Sequence, residues 1–277
     1  MTTAFNTMFK NEEKLLSEVL KIWKNYPIDL FVFYNDNSTD RSVEVIKDNL
    51  EEFRYIILND KLPKFNESYQ RQKMLTASRN SEVDIVFSID CDELLTTNII
   101  KDWDIFLKIY ETQDMWLFWY NSVNDITKYR NDPQYINNYR SFVLPLKHTG
   151  NLNINDWKYH TPRTPNVNLA KTYTKDYGVI HLQALNKRFY AIKQLWYKHY
   201  EYVNYGHTVE FINSRYDSVV NNLVFNEVDI PNNLIDGINF NPKIFDELEK
   251  EKGYLDFIKN NLNEKLITFG KEYIYNE

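Results

Sequence analysis

The residue pattern with the clearest chemical meaning is an apolar, β-branched run that ends in two carboxylates. Residues 85–89 read Ile-Val-Phe-Ser-Ile, and Asp90 and Asp92 follow with one residue between them. Such a run is typical of an interior strand of a parallel sheet, and these sheets place ligand sites beyond the carboxyl ends of their strands. Because side chains alternate along an extended backbone, both carboxylates can face one hard cation and its phosphate ligands. The pattern indicates Mg²⁺ or Mn²⁺ bound with a nucleotide; the alternative is that the aspartates cap the next helix.

Length and composition favour one large α/β domain with an appended subdomain. The chain has 277 residues, and its six glycines argue against a flexible linker. We expect a catalytic domain over residues 1–215 and a C-terminal helical extension over 216–277 packed on it. Cys91 is the single cysteine, which excludes an intrachain disulfide and fits a reducing compartment. We interpret Cys91 as a small filler residue, because neighbouring carboxylates disfavour the thiolate that a nucleophile needs.

Charge is unevenly distributed along the chain. The net charge is −6, but residues 158–215 carry nine Lys or Arg against three Asp or Glu, so this segment is +6 and the remainder −12. A basic segment inside an acidic protein indicates a polyanion or diphosphate site, or else a solvated face. No apolar run approaches the ~20 residues that span a bilayer, and residues 1–10 do not resemble a leader, so we expect a cytoplasmic protein.

Strands and helices are predicted to alternate over the first 95 residues. The predicted strands are 3–9, 29–34, 53–58 and the run ending at Asp90; the predicted helices are 12–25, the segment carrying Val43, Ile46 and Leu50, and 66–78. Strict alternation predicts a parallel, doubly wound sheet. Later predictions are a helix from Thr96 to Tyr110, strands over 115–121 and 139–146, loops or a lid over 151–176, a helix over 188–202 and two acidic helices within 242–275.

Three polar motifs stand at the ends of three of these strands. They are Lys10-Asn11-Glu12, Asp36-x-Ser38-Thr39-Asp40 and Asp90-x-Asp92-Glu93. Together, over about residues 3–125, they resemble the family 2 glycosyltransferases of GT-A fold, and in particular the bacterial and viral branch with an Asp-x-Asp-Glu form. The resemblance implies a Rossmann-like, doubly wound, mostly parallel α/β sheet and a nucleotide-sugar donor across the carboxyl ends of the first strands.

The resemblance also implies roles for individual residues. Asn11 and Asp36 would contact the base or ribose, and Arg71 matches the basic residue usually found before the Asp-x-Asp strand. The chemistry agrees, because a carboxylate accepts hydrogen bonds from an imide or a ribose, and a guanidinium pairs with phosphate through two hydrogen bonds. The ordinary alternatives are a turn residue for Asp36 and a solvated helix residue for Arg71.

Sugar transfer would need a cation and a base. A divalent cation held by Asp92, with Asp90 on the ribose or on a water of the metal, would neutralise the diphosphate leaving group. The resemblance implies inversion at the sugar, which requires a carboxylate near the acceptor hydroxyl. The chain departs from the family here, because the usual downstream acidic pair is not clear. Asp156 is the preferred candidate, and Asp125 and Glu93 are alternatives.

A second cluster begins at His181, after the short apolar pair Val179-Ile180. Some GT-A enzymes complete the metal site with a late histidine, which His181 resembles; imidazole would favour manganese over magnesium. Lys187, Arg188 and Lys193 could hold the diphosphate. The alternative is a satisfied surface histidine before a basic helix. His160 and Arg163 are further candidates for the acceptor side.

The leading hypothesis is therefore a metal-dependent glycosyltransferase of the hexosyltransferase type that uses a nucleotide sugar, with a UDP-sugar favoured. The acceptor stays open between a glycan, a lipid-linked sugar, a protein and a modified nucleic acid. A nucleotidyltransferase is one alternative, although no glycine precedes Gly150 and so no glycine-rich phosphate loop follows the first strand. A noncatalytic carbohydrate-binding module is the other, since 21 tyrosines and 6 tryptophans could supply a sugar-stacking surface.

Overall fold

The computed structural model describes residues 1–62, 65–150, 152–154, 161–220, 223–246, 248 and 250–275. By its internal contacts the chain divides into two compact units. The first comprises Met1–Tyr120, Tyr139–His181 and Pro231–Phe240, and the second comprises Asn121–Asn138, Leu182–Ile230 and Asn241–Glu277. The division into a catalytic domain over 1–215 and an extension over 216–277 stays a prediction.

The elements are numbered in chain order. The strands are β1 (Thr3–Phe9), β2 (Leu30–Asn35), β3 (Tyr55–Leu58), β4 (Ile85–Ser88), β5 (Glu93–Leu95), β6 (Gln113–Val123), β7 (Asp125–Arg130), β8 (Tyr139–Arg140), β9 (Val143–Pro145), β10 (Ala170–Ala184) and β11 (Glu227–Asp229). The helices are α1 (Glu13–Trp23), α2 (Ser42–Asn49), α3 (Glu67–Asn80), α4 (Thr97–Lys101), α5 (Trp103–Ile109), α6 (Lys187–Tyr205), α7 (Val209–Val220), α8 (Asn232–Ile235), α9 (Lys250–Asn260) and α10 (Lys271–Tyr275).

A mostly parallel sheet forms the centre of the first unit. Its strand order is β3-β2-β1-β4-β9; the first four strands are parallel, and β9 runs antiparallel to β4. Every residue of β2 and β4 is buried, as expected for strands with both faces covered. The predicted α/β class with a mostly parallel sheet is confirmed. Because β1, β2 and β4 run in one direction, the residues that follow them meet at one edge.

The helices of this unit form where apolar side chains share one face. In α1 that face consists of Leu15, Leu16, Val19, Leu20 and Trp23, all buried. Helix α3 packs against β1 and β2, and it begins at Asn66, whose side chain accepts a hydrogen bond from the backbone N–H of Tyr69. This start decides which α3 residues face the carboxyl edge of the sheet, and Gln70 and Arg71 are both buried there.

Antiparallel strands of a second sheet carry the segment after Asp92. Strand β5 pairs antiparallel with β10 in a register that places His181 opposite Glu93, and β8 pairs antiparallel with β6. Gly178 of β10 lies against the ring of Tyr120, so close that a side chain there would clash. The sheet therefore carries a late histidine back to the Asp-x-Asp segment.

The second unit has its own apolar core. It is formed around α6 by side chains such as Ala191, Leu195, Val220 and Ile258. Asn186 caps α6 by accepting from the backbone N–H of Phe189, and the helix ends at Gly206. Strands β7 and β11 pair antiparallel in this unit. No helix in the described part of the chain is long and apolar enough to cross a membrane.

The structure corrects several predicted elements. The helix predicted from Thr96 to Tyr110 is two helices, α4 and α5, and the strand predicted over 139–146 is two short strands, β8 and β9. The loop predicted over 151–176 is wrong at its end, because β10 already begins at Ala170. Its first residues, Ala-Lys-Thr-Tyr-Thr-Lys, are mostly polar and exposed, so they carry no apolar signal of a strand.

Candidate functional site

Polar side chains converge where β1, β2 and β4 end. Asp36 directly follows β2, Lys10 and Asn11 follow β1, and Asp90 comes two residues after β4. Consecutive residues of α3 reach two of these positions: Gln70 contacts Asp36, and Arg71 contacts Asp90. The order of β2, β1 and β4 across the sheet thus spreads two carboxylates along one edge, with α3 joining them.

Asp36 is nearly inaccessible to solvent and is held by two donors. It is 5% exposed; Gln70 Nε2 donates to its Oδ1 at 2.9 Å, and Lys10 Nζ lies 3.3 Å from its Oδ2. Lys10 is exposed, so the Gln70 contact is the better fixed of the two. Burial and fixed orientation are what a residue needs to recognise a ligand by hydrogen bonds.

Asn11 organises the loop beside Asp36. It adopts a left-handed backbone conformation with φ of 52°, its Oδ1 accepts from the N–H of Thr39 at 2.8 Å, and its own N–H donates to Ser38 Oγ at 3.0 Å. These bonds tie the end of β1 to the turn after β2. The structure therefore gives Asn11 a role in loop geometry, and its predicted contact with base or ribose stays a prediction.

Arg71 is a buried cation between two carboxylates. Its Nη2 lies 2.8 Å from Glu67 Oε1 and 3.1 Å from Asp90 Oδ1, while Nη1 has no hydrogen-bond partner among the described residues. Burial acts to lower the pKa of Arg71, but Asp90 and Glu67 outweigh it and raise it. The predicted solvated alternative is wrong, because the side chain is 3% exposed.

Glu93 accepts four hydrogen bonds in a fully buried position. Arg163 donates to both of its oxygens, from Nη1 at 2.8 Å and from Nη2 at 2.6 Å. Trp119 Nε1 donates to Oε1 at 2.8 Å, and the N–H of Asp90 donates to Oε2 at 2.8 Å. Arg163 Nη2 also lies 2.8 Å from Asp90 Oδ2. One guanidinium thus joins Glu93 to the first aspartate of the motif.

Burial and the neighbouring arginines act in opposite directions on the pKa values of these carboxylates. Burial raises the pKa of Glu93 to about 8 against the lowering effect of Arg163, and Asp90 and Asp92 add to the rise. Burial also acts to raise the pKa of Asp90, but Arg163 and Arg71 outweigh it, so the pKa of Asp90 is lowered. The four donors around Glu93 suit its ionised form, and protonation requires one of them to be displaced. Asp90 is ionised at neutral pH.

Asp92 and His181 face one another. Asp92 Oδ2 lies 3.5 Å from His181 Nε2, and the imidazole stacks on Trp119 with ring centres 4.4 Å apart. Two ligands of one Mg²⁺-sized cation, each at about 2.1 Å, are separated by about 3.0 Å when adjacent and about 4.2 Å when opposite. The observed 3.5 Å lies between these two values, so a small approach of one side chain toward the other would bring the pair to adjacent positions on one cation.

Asp90 is placed differently. Both of its oxygens face arginine, and among the described residues no group of three His, Cys, Asp or Glu side chains is arranged to hold a metal ion. The structure therefore brings Asp92 and His181 together and turns Asp90 toward Arg71 and Arg163. The predicted metal set of Asp90, Asp92 and His181 stays a prediction.

The other predicted residues lie elsewhere or cannot be described. Asp156 and His160 fall outside the described residues. Asp125 belongs to the second unit, is exposed, and accepts from the N–H of Thr127 in its own turn. The second unit also contains three predicted diphosphate-binding residues, which contact neighbours there: Lys187 lies over Phe225, Arg188 pairs with Glu251, and Lys193 lies over Tyr197. Their predicted roles stay predictions.

The predictions missed three side chains of the site and misjudged a fourth. Gln70, Glu67 and Trp119 were not singled out, and Arg163 was assigned to the acceptor side, whereas it binds Glu93 and Asp90. Glu67 and Arg71 are four residues apart on a helix, a spacing that could have revealed their pair. Arg163 and Glu93 are 70 residues apart, so no local pattern could have joined them.

No protein-family model matches the chain, and no curated protein matches its sequence. Among solved structures, S. aureus TarS 1-349 in complex with UDP is 14% identical, with 100% of this chain and 92% of that chain covered and a TM-score of 0.49. S. aureus TarS is 16% identical, with 70% and 40% covered and a TM-score of 0.47, so this chain spans less than half of it.

Glucosyl-3-phosphoglycerate synthase from Mycobacterium tuberculosis, in complex with Mn²⁺, UDP-glucose and glycerol 3-phosphate, is 17% identical. The match covers 43% of this chain and 44% of that one, with a TM-score of 0.32. Identities and TM-scores this low establish neither a family nor an activity for this chain. The site must be interpreted from its own geometry.

Proposed function

We propose that the protein is a metal-dependent glycosyltransferase of GT-A type, which moves a sugar from a nucleotide-sugar donor to an acceptor hydroxyl with inversion. The observation that carries this proposal is the line of groups along the carboxyl edge of the parallel sheet. Asp36 offers a buried acceptor at one end, Arg71 a buried cation, and Asp92 with His181 a pair of metal-compatible donors. A nucleoside diphosphate presents a base, a ribose and a diphosphate in the same linear order.

The Asp36 end of this line suits a base or a ribose. A carboxylate offers hydrogen-bond acceptors, and the bases and riboses of nucleotides offer N–H and O–H donors. Because Gln70 fixes one of its oxygens, the orientation of the carboxylate is set before a ligand arrives. We assign the nucleoside to this end, and uridine is the first choice for screening because UDP and UDP-glucose are the nucleotides in the structures compared above.

The opposite end suits the diphosphate. A divalent cation bound by Asp92 and His181 would act there as a Lewis acid on the departing diphosphate. Arg71 carries an unpartnered, buried Nη1 among the described residues, which is a donor suited to a phosphate oxygen. The guanidinium of Arg163 donates to Glu93 and pairs with Asp90, so its proposed role is to hold these two carboxylates in place.

Transfer of the sugar also needs a general base near the acceptor hydroxyl. Glu93 is an unsuitable base as placed, because four N–H donors already occupy its oxygens. Asp156 stays the preferred candidate, and Asp125 the alternative. The acceptor is equally open between a glycan, a lipid-linked sugar, a protein and a modified nucleic acid.

Hydrolysis of a donor separates the enzyme from a sugar-binding module. Glycosyltransferase activity predicts slow release of nucleoside diphosphate and free sugar from one of a panel of UDP-, GDP- and CDP-sugars, with Mn²⁺ or Mg²⁺ required and the rate lost in Asp92→Asn. Lys147→Leu, an exposed residue of the same unit, is the matched control. Binding of sugars without any turnover would favour the module, and release of pyrophosphate from a nucleoside triphosphate and a sugar phosphate would favour a nucleotidyltransferase.

A further inference from the structure

The side-chain amide of Gln70 is buried, and its nitrogen and its oxygen differ in their hydrogen bonding. The residue is 0% exposed, and its Nε2 donates to Asp36 Oδ1 at 2.9 Å. Its Oε1 is buried and has no hydrogen-bond partner among the described residues. Because Nε2 is engaged with the carboxylate, the amide cannot turn over without placing two acceptors against one another. An unsatisfied buried acceptor costs about 1–3 kcal/mol, which a functional site tolerates when a ligand supplies the donor.

Gln70 and Asp36 together present acceptors. The carboxylate keeps free lone pairs on both oxygens, and the amide adds a carbonyl oxygen beside it. Lys10 is the other donor near Asp36, but it is exposed and lies 3.3 Å away at Oδ2. A ligand edge that fits this pair must therefore donate hydrogen bonds rather than accept them.

We propose that Gln70 is a positioning residue that makes the Asp36 subsite select nucleobases with a ring N–H. This inference rests on the proposed function, since it requires that Asp36 faces the base. Uracil and guanine carry a ring N–H between two carbons, and an ionised carboxylate accepts from it. The corresponding ring nitrogen of cytosine or adenine is an acceptor, which would place its lone pair against the carboxylate. Gln70 enforces this choice because its donated hydrogen bond holds the Asp36 carboxylate in one orientation.

The expected difference in binding free energy between these two groups of bases is large enough to measure. A hydrogen bond to a charged group contributes about 1.5–3 kcal/mol, and leaving a buried group unpaired costs a similar amount. We expect the protein to prefer UDP or GDP over CDP and ADP by at least about tenfold in Kd, which corresponds to about 1.4 kcal/mol. The UDP and GDP arms of the titration show which imide base is used.

Two substitutions of Gln70 make different predictions. Gln70→Leu keeps the volume but removes the donor, so the UDP to CDP preference falls about tenfold. Gln70→Glu is nearly isosteric and places a second carboxylate beside Asp36; two carboxylates this close share a proton. That proton can be donated to the ring nitrogen of cytosine, so binding of CDP improves relative to UDP. A purely structural role would weaken both nucleotides equally.

The test is calorimetric titration of UDP, GDP, CDP and ADP, each with Mn²⁺, into the full chain. The proteins are the wild type, Gln70→Leu, Gln70→Glu and the control Gln134→Leu, an exposed glutamine of the second unit. The inference is supported if the preference for UDP over CDP falls in Gln70→Leu and if CDP binding improves relative to UDP binding in Gln70→Glu. If the wild type binds UDP or GDP but the ratios are the same in all variants, the inference is overturned and the proposed function stands. If no nucleoside diphosphate binds the wild type, both fall.

Discussion

Replacing Arg163 by leucine should destabilise the protein far more than the loss of an ordinary surface ion pair. The side chain is 11% exposed and holds Glu93, which is 0% exposed, and Asp90 at the same time. In Arg163→Leu, both oxygens of Glu93 lose a donor and Asp90 Oδ2 loses its cation. Arg163→Lys keeps the charge but cannot donate two parallel hydrogen bonds, so its effect should be intermediate.

The magnitude follows from the burial of the pair. Removing one partner of a buried ion pair costs about 3–5 kcal/mol, because the other charge stays buried without compensation. At pH 7 the carboxylate that is left charged is Asp90, whose pKa is lowered, because the pKa of Glu93 is already raised to about 8 and the loss of Arg163 removes an effect that lowers it. We therefore expect the free energy of unfolding to fall by about 3 kcal/mol at pH 7. The fall should be larger at pH 9, where Glu93 holds its proton less readily.

Urea unfolding at pH 6, 7 and 9 measures this effect, and thermal melting should show a fall in Tm of about 6–12 °C at pH 7 for a chain of this size. Lys147→Leu is the control: its pair with Glu111 is roughly half exposed on both sides, and a surface change of this kind stays within about 0.5 kcal/mol. A loss below about 1 kcal/mol for Arg163→Leu, or one that does not grow with pH, would refute the buried network.

Three further predictions concern other parts of the first unit. The pKa of Glu93 is about 8 in the folded protein and near 4.5 in the unfolded chain, so this residue's contribution to stability is complete below pH 4.5 and is lost as the pH rises through 8. Glu93→Gln should therefore remove a slope of up to about 1.4 kcal/mol per pH unit from the pH dependence of the free energy of unfolding. If urea unfolding gives the same pH dependence for both proteins, this prediction is contradicted. Gly178→Ala should cost about 1–3 kcal/mol, measured as a shift in the urea midpoint, because the new Cβ would lie 2.5 Å from Tyr120 Cε2 and 2.8 Å from Phe118 O. Asn11→Ala should cost about 1–2 kcal/mol, since it loses the bond from Thr39 and keeps a left-handed backbone at φ 52°; an unchanged melting temperature would show that this loop does not depend on the side chain.

The central sheet could be predicted because its strands carry strong local signals. Strands β1, β2 and β4 are apolar runs, and the helices between them have a clear apolar face, as in α1. Parallel strands then place their carboxyl ends at one edge, so the positions of Asp36, Asp90 and Asp92 followed without further information. Strand β10 could not be foreseen in full, because its exposed first half has no apolar alternation.

The contacts within the site were harder to predict because they join distant residues. His181 reaches Asp92 through the register of β10 on β5, which no local pattern encodes. Arg163 belongs to a segment without periodicity, and its partner Glu93 was predicted only as an alternative base, whereas it is fully buried and accepts four hydrogen bonds. Gln70 carries no charge, so it gave no signal beside Arg71, although both contact carboxylates of the same edge.

Titration of UDP into the protein by calorimetry, with Mn²⁺ and with EDTA, tests the metal-dependent donor site most directly, using the wild type, Asp92→Asn and Lys147→Leu. A metal-dependent donor site predicts binding that requires the metal, is lost in Asp92→Asn and is unchanged in Lys147→Leu; GDP and CDP are titrated in the same way. Binding of a nucleoside diphosphate that is indifferent to both EDTA and Asp92→Asn would contradict the metal site, and absence of binding by all three nucleotides would contradict the glycosyltransferase proposal itself.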